Sequence, residues 1–154
     1  VNVQNNLEKL ERNLLTRDYY SNATYYRVLI PNLYPEYDKV LYLDADIVIL
    51  DDIAKLYNKS IGNYLIAGVS EQWLDRYREL QEYAEKVIGV SSYKKYINAG
   101  IMLMNVKYVF AQDQDYFNRI CKGRIKYLRE YWNASGYIYE KTNPKIIQYI
   151  NHGN

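Results

Sequence analysis

Apolar residues along this chain fall into short blocks divided by polar punctuation, and the period changes from block to block. Leu7, Leu10 and Leu14 recur at helical spacing and predict a short amphipathic helix near the start. Ser21 or Asn22 is placed to cap a second helix from Ala23 until Pro31 stops it. Pro31 and Pro35 then mark a turn region. Residues 39–43 read as a buried strand, and Asp51-Asp52 opens a brief helix through Leu56 and Tyr57, where acidic charge suits a helix N-terminus. Residues 64–69 form another short apolar strand. Trp73, Tyr77, Leu80, Ala84 and Val87 keep a helical stripe that Gly89 terminates. Residues 97–106 read as a strand with Asn at both ends. A helix over 114–121 precedes Gly123, and short strands follow near 125–128 and 145–150. Strands alternating with helices predict an α/β fold, a mostly parallel central sheet flanked by helices.

Composition narrows the class. A chain of 154 residues supports one domain with a sizeable core, spanning 1–154. With 49% apolar and 25% charged residues it is a folding sequence, and a net charge of +2 argues against a nucleic-acid partner. The lone Cys121 excludes an intrachain disulfide framework and fits a reducing, cytoplasmic compartment. No apolar run approaches the roughly 20 residues of a membrane span. Twenty tyrosines stand against two Phe and two Trp, which fits half-buried surface filling better than a dedicated sugar platform. Three glycosylation sequons, Asn133-Ala134-Ser135 among them, read as chance in an Asn-rich chain.

The chemistry concentrates in three segments. Asp44-Ala45-Asp46 sits between Val40-Leu41-Tyr42-Leu43 and Ile47-Val48-Ile49-Leu50. Burying two carboxylates is costly unless a cation or hydrogen bonds compensate them, so the apolar flanks argue against a solvated loop. At a strand end, positions i and i+2 share a face and both reach one metal. A Mg²⁺- or Mn²⁺-bridged diphosphate is the partner such a pair suits. Asn98-Ala99-Gly100 opens the strand over 97–106. Small residues there let a ligand approach the backbone while an amide reads hydroxyls, although a β-bulge gives the same pattern. Asp113-Gln114-Asp115 opens a helix, where carboxylates cap the N-terminus or, functionally, face a sugar's developing positive charge.

Taken in order, these segments resemble glycosyltransferase family 8, the group of lipopolysaccharide galactosyltransferases and glycogenin-like enzymes. The resemblance is carried by Tyr25-Tyr26-Arg27-Val28-Leu29-Ile30-Pro31, by the stretch from Asp38 through Asp44-Ala45-Asp46 to Val48, by Asn98 to Asn105, by Asp113 to Asn118, and by Pro144-Lys145-Ile146-Ile147. It implies a GT-A fold, a UDP-sugar donor, Mn²⁺ (or Mg²⁺), and hexose transfer with retention to an unknown sugar or lipid-linked glycan acceptor. By that resemblance Asp44 and Asp46 hold the metal. Arg27, Asp44, Ala45, Asn98, Ala99, Asp113 and Gln114 contact the donor, and Gln114 and Asp115 flank the anomeric carbon. An uncharged Gln114 is a poor nucleophile, which favours same-face attack.

The chain departs from the family pattern in three places. The strand-helix-strand unit that begins the family's fold is missing ahead of Lys39, and the stretch between 105 and 113 is short. Gln148 stands where the family has a metal-binding His, so its carbonyl becomes the expected third ligand, weaker than imidazole. The family's downstream Lys-Pro-Trp is also missing, and a peripheral attachment to the inner membrane face would run through a C-terminal basic-aromatic segment not present here. These departures leave open a catalytically inactive nucleotide-sugar-binding homologue. A haloacid-dehalogenase-like phosphatase is a second alternative, with Asp44 as nucleophile and Asp46 as acid/base, but no later acidic doublet completes it.

Overall fold

Among the described residues the longest strand is also the most enclosed. The computed structural model describes residues 27, 29–31, 33–106, 117–119, 121–135 and 143–149. Among them, seven strands form two sheets: β1 (Lys39–Leu43), β2 (Ile47–Ile49), β3 (Ile66–Ser70), β4 (Ile97–Asn105), β5 (Ile125–Tyr127), β6 (Ala134–Ser135) and β7 (Ile146–Gln148). The larger sheet has the order β1-β4-β3-β5 and the smaller β2-β7-β6. β4 runs antiparallel to both β1 and β3, while β3 and β5 are parallel. Three of the four strands therefore share one direction and β4 is the reversed member. In the smaller sheet β7 pairs antiparallel with β2 and parallel with β6.

β4 separates two apolar layers, and strand alternation assigns its side chains between them. Met102 and Met104 pack with Leu65, Ile66, Phe117, Cys121 and Ile125 on one side. Ile101 and Leu103 pack with Leu56, Ala67, Val69, Trp132 and Ile146 on the other. Burial on both faces explains a continuous rather than alternating apolar pattern. β1 corrects one expectation: it is half-buried along its length, since β4 is its only neighbour among the described residues. Outside the strands, α1 (Ala54–Tyr57) follows the two aspartates as expected, with Asp52 Oδ1 accepting from the Ala54 N–H at 2.9 Å.

Two helical expectations change. Pro31 and, beyond it, Leu33 are both helical, and the Tyr34 N–H reaches the Ile30 carbonyl at 3.0 Å. Proline removes one donor but does not prevent later N–H groups from bonding back across it. The stripe from Trp73 to Val87 is not one helix. A 3-10 turn, Gln72–Arg76, gives way at an extended Tyr77 to α2 (Arg78–Glu82), which continues as π-helix over Tyr83–Ile88. The break and the wider winding rephase the segment, so Leu74, Ala84 and Ile88 are buried while Tyr77, Leu80 and Val87 face solvent. Gly89 does end it, with φ of +82° in the left-handed region that glycine tolerates. The expected N-terminal helix lies outside the described residues, as does half of the expected 114–121 helix; residues 117–119 of the latter are helical.

Candidate functional site

Asp44, Glu71 and Gln72 directly follow β1 and β3, and Gln148 ends β7. Ligands of open α/β sheets gather outside the carboxyl ends of such strands. The reversed β4 brings its first residues into the same corner. Opposite Gly68–Ser70 the register of β4 against β3 slips, from Met102 paired with Gly68 to Ile97 paired with Ser70. Asn98, Ala99 and Gly100 lie in this slip, which is the bulge reading of that segment. Their backbone groups are freed from β3 for other partners.

Asp44 is held from several directions. Its N–H bonds the Gly100 carbonyl at 2.8 Å, and Oδ1 accepts from the Tyr42 hydroxyl at 2.6 Å. Arg27 Nη2 stands 3.6 Å from the same oxygen, while Arg27 Nη1 donates to the Ala99 carbonyl at 2.9 Å. The guanidinium also lies over the Tyr42 ring, 5.0 Å from its centroid. Burial, then the bond to Asp44, pushes the Tyr42 hydroxyl up to about 12. Tyr42 therefore remains a donor at neutral pH.

The aspartate pair is less buried than its flanks suggested. Asp44 is half-buried, Ala45 and Asp46 are exposed, and so are Val48, Ile49 and Leu50. The chain crosses between sheets at this point, so the two flanks pair in different sheets, β1 with β4 and β2 with β7, and the carboxylates occupy the bend. The two still converge: Gln148 Nε2 donates to Asp44 Oδ2 at 3.1 Å and to Asp46 Oδ1 at 3.4 Å. Two carboxylates reaching one point offer the hard oxygen donors that Mg²⁺ or Mn²⁺ takes. Among the described residues there is no group of three His, Cys, Asp or Glu able to hold a metal, so any further protein ligand has to be an amide, a carbonyl or a residue outside them.

Beside the pair lies a small polar pocket, with room for about one water molecule, lined by Glu71, Gln72, Asn98, Asn133, Ser135 and Gln148. Asn98 Nδ2 donates to Glu71 Oε2 at 2.7 Å. Gln72 Nε2 donates to the Asn133 carbonyl at 2.9 Å, and Gln72 Oε1 accepts from Ser135 Oγ at 3.1 Å. Alternating amides, hydroxyl and carboxylate are the groups that read sugar hydroxyls. Sequence reasoning anticipated Arg27, Asp44, Asp46, Asn98, Ala99 and Gln148, which the fold brings together. It missed Tyr42 as a partner, and Glu71, Gln72, Asn133 and Ser135 altogether. Asn133 and Ser135 lie in a sequon that reads as chance, and no local signal marks them because their partners lie 15 to 63 residues away. Asp113, Gln114 and Asp115 lie outside the described residues.

Three comparisons bear on this arrangement. Residues 1–109 match the family described as glycosyl transferase family 8. A putative glycosyltransferase of Haemophilus influenzae is 32% identical over 138 residues, 77% of this chain and 41% of its own length. General stress protein A of Bacillus subtilis is 28% identical over 142 residues, covering 77% of this chain and 47% of that protein. The chain thus spans under half the length of these curated relatives. In structure it resembles the galactosyltransferase LgtC, solved with donor and acceptor sugar analogues, at a TM-score of 0.77 and 22% identity. That likeness covers 95% of this chain and 64% of LgtC and shows the GT-A fold. The bifunctional glycosyltransferase WbbM, in its apo form, aligns with a TM-score of 0.72 and 26% identity over 90% of this chain and 33% of that one. The phosphatase alternative falls with these findings. Since the family match spans residues 1–109 of 154, the chain belongs to glycosyl transferase family 8.

Proposed function

We propose that this protein moves a hexose from a UDP-sugar to a sugar or lipid-linked glycan acceptor, with retention at the anomeric carbon. The observation that carries the reading is the convergence of Asp44 and Asp46 on one point beside Arg27, Asn98 and Ala99. Asp44 and Asp46 would hold Mn²⁺ (or Mg²⁺), which when bound offsets the charge of the donor diphosphate as it leaves. Arg27 sits between Asp44 and the Ala99 carbonyl, where its guanidinium supplies positive charge to a phosphate or to sugar oxygens. Tyr42 keeps its proton and orients the Asp44 carboxylate. The amide of Asn98 and the backbone at Ala99 and Ala45 contact the donor sugar, together with Asp113. Gln114 and Asp115 flank the anomeric carbon, and an oxygen of either stabilises the oxocarbenium-like state by charge or dipole. Because Gln114 lacks a charge, attack on the same face as the departing diphosphate is the favoured course.

One observation favours a second reading, a homologue that binds the donor without turning it over. Gln148, where the family's metal-binding His is expected, presents an N–H rather than a lone pair to the aspartates. Calorimetric titration of UDP with and without Mn²⁺, on the protein and on Asp46→Asn, tests the site. Binding that requires Mn²⁺ and disappears in the variant is expected. Equal binding with and without metal would overturn the metal-bridged reading. Release of UDP from UDP-hexoses then separates transfer from binding alone.

A further inference from the structure

The direction in which the Gln148 amide points is set by groups that cannot reverse. The Gly100 N–H can only donate, and it donates to Asn98 Oδ1 at 2.7 Å. A Glu71 carboxylate oxygen accepts from Asn98 Nδ2 at 2.7 Å. Both ends of Asn98 are therefore assigned, with its oxygen toward Asn133. Asn133 must then turn its own nitrogen to that oxygen, and Nδ2 donates to Asn98 Oδ1 at 3.0 Å. The same Asn133 nitrogen donates to Gln148 Oε1 at 3.2 Å. What remains of Gln148 is its nitrogen, and this is the atom that donates to both Asp44 and Asp46. Reversing Gln148 alone would set an oxygen against two carboxylates and a nitrogen against a nitrogen.

The amide is also seated rather than free to swing. Gln148 is buried, and it packs on the bare backbone of Gly100. A Cβ added there would stand 2.3 Å from Gln148 Nε2 and 2.5 Å from Oε1.

We propose that Gln148 is a positioning residue that donates to the Asp44–Asp46 pair and competes with a divalent cation there instead of ligating it. This rests on the metal reading of that pair. The polarity relay from Gly100 and Glu71 through Asn98 and Asn133 makes the amide an internal substitute for the cation. It holds the two carboxylates toward each other, and a cation bridging the same oxygens has to displace it.

The test uses Mn²⁺ alone, with the free-ion electron paramagnetic resonance signal as readout, on the purified protein, Asp46→Asn and Gln148→Met. The side-chain amide ¹⁵N spectrum of the unmodified protein is followed in parallel with diamagnetic Mg²⁺. Weaker Mn²⁺ binding in Asp46→Asn is expected, with Gln148→Met binding as tightly as the unmodified protein or several-fold tighter. Mg²⁺ should shift the Gln148 amide resonances and leave those of Asn98 in place. Weaker binding by Gln148→Met, or a Gln148 amide unmoved at saturating Mg²⁺, overturns the proposal while the metal reading stands. Unchanged binding in Asp46→Asn removes the metal reading and the competition with it. Should Gln148→Met fail to fold, the amide spectrum decides by itself.

Discussion

At the residue scale, much of the site depends on one missing side chain and one hydroxyl. Gly100 does not adopt a positive φ; its role is space, because the Gln148 amide fills the volume a Cβ would take. Gly100→Ala should destabilise by about 1–3 kcal/mol, the usual cost of overpacking. Urea unfolding checks this, and a change below about 0.5 kcal/mol, typical of a surface substitution, would mean the amide is not seated there. Tyr42→Phe should cost about 1.5 kcal/mol, the lower end for a bond to a charged group. The pH dependence has a definite sign. A hydroxyl raised from about 10 in the unfolded chain stabilises fully below that value, and its contribution is lost as pH rises through its folded value of about 12. The stability gap between the protein and Tyr42→Phe should be flat from neutral pH to 9 and close above 10. A gap that closes before pH 9 would contradict the hydroxyl's donor role. Neither residue was readable in advance: Tyr42 looked like one more apolar strand position, and Gly100 gained its meaning from Gln148, forty-eight positions on.

At the element scale, the crossing between the two sheets is secured by charge as well as by strand pairing. Asp51 lies just beyond β2, where its carboxylate bonds Lys145, at the entry to β7, and Lys55 at 2.6 Å. The Leu50 N–H meets the Lys145 carbonyl at 2.7 Å beside it. The bond from Lys145, then that from Lys55, holds the Asp51 carboxyl below the usual carboxylate range. A depressed folded value contributes stability above the unfolded value of about 3.9, lost as pH falls through the folded one. Thermal midpoints measured from pH 6 down to 2 should fall less steeply for Asp51→Asn than for the unmodified protein. Parallel slopes would show that solvent screens this exposed cluster completely. The element itself was half legible. Asp51-Asp52 correctly marked the start of α1 (Ala54–Tyr57), but an ion pair between positions 51 and 145 needs the sheet to bring its ends together.

At the scale of the whole molecule, the sole cysteine reports on the core. Cys121 is 1% exposed among Phe117, Met102 and Met104, and burial pushes its thiol up to about 11. Thiolate is the reactive form, so a thiol reagent at pH 8 should leave the folded protein unlabelled. Labelling should instead track the denaturant unfolding curve. Rapid labelling without denaturant would mean that the layer between β4 and the helical residues 117–119 opens on its own. The same two-sided enclosure made β4 the most legible element of the chain. Its apolar run of residues has no polar face to disguise it, whereas the exposed Val48, Ile49 and Leu50 looked equally apolar in sequence.

What the sequence determined by itself was therefore local or additive: the strands β1, β3 and β4, the start of α1, the stop at Gly89, and the aspartate pair with its family. These follow from neighbouring residues, through side-chain period, capping and turn chemistry. Tertiary structure alone decided which strand is reversed, that the chain changes sheets at Asp44-Ala45-Asp46, and that those carboxylates face an amide donor from Gln148 rather than its carbonyl. The reason is physical: a side-chain amide can present either end, and its direction is chosen by a relay of fixed donors and acceptors that only the folded topology assembles.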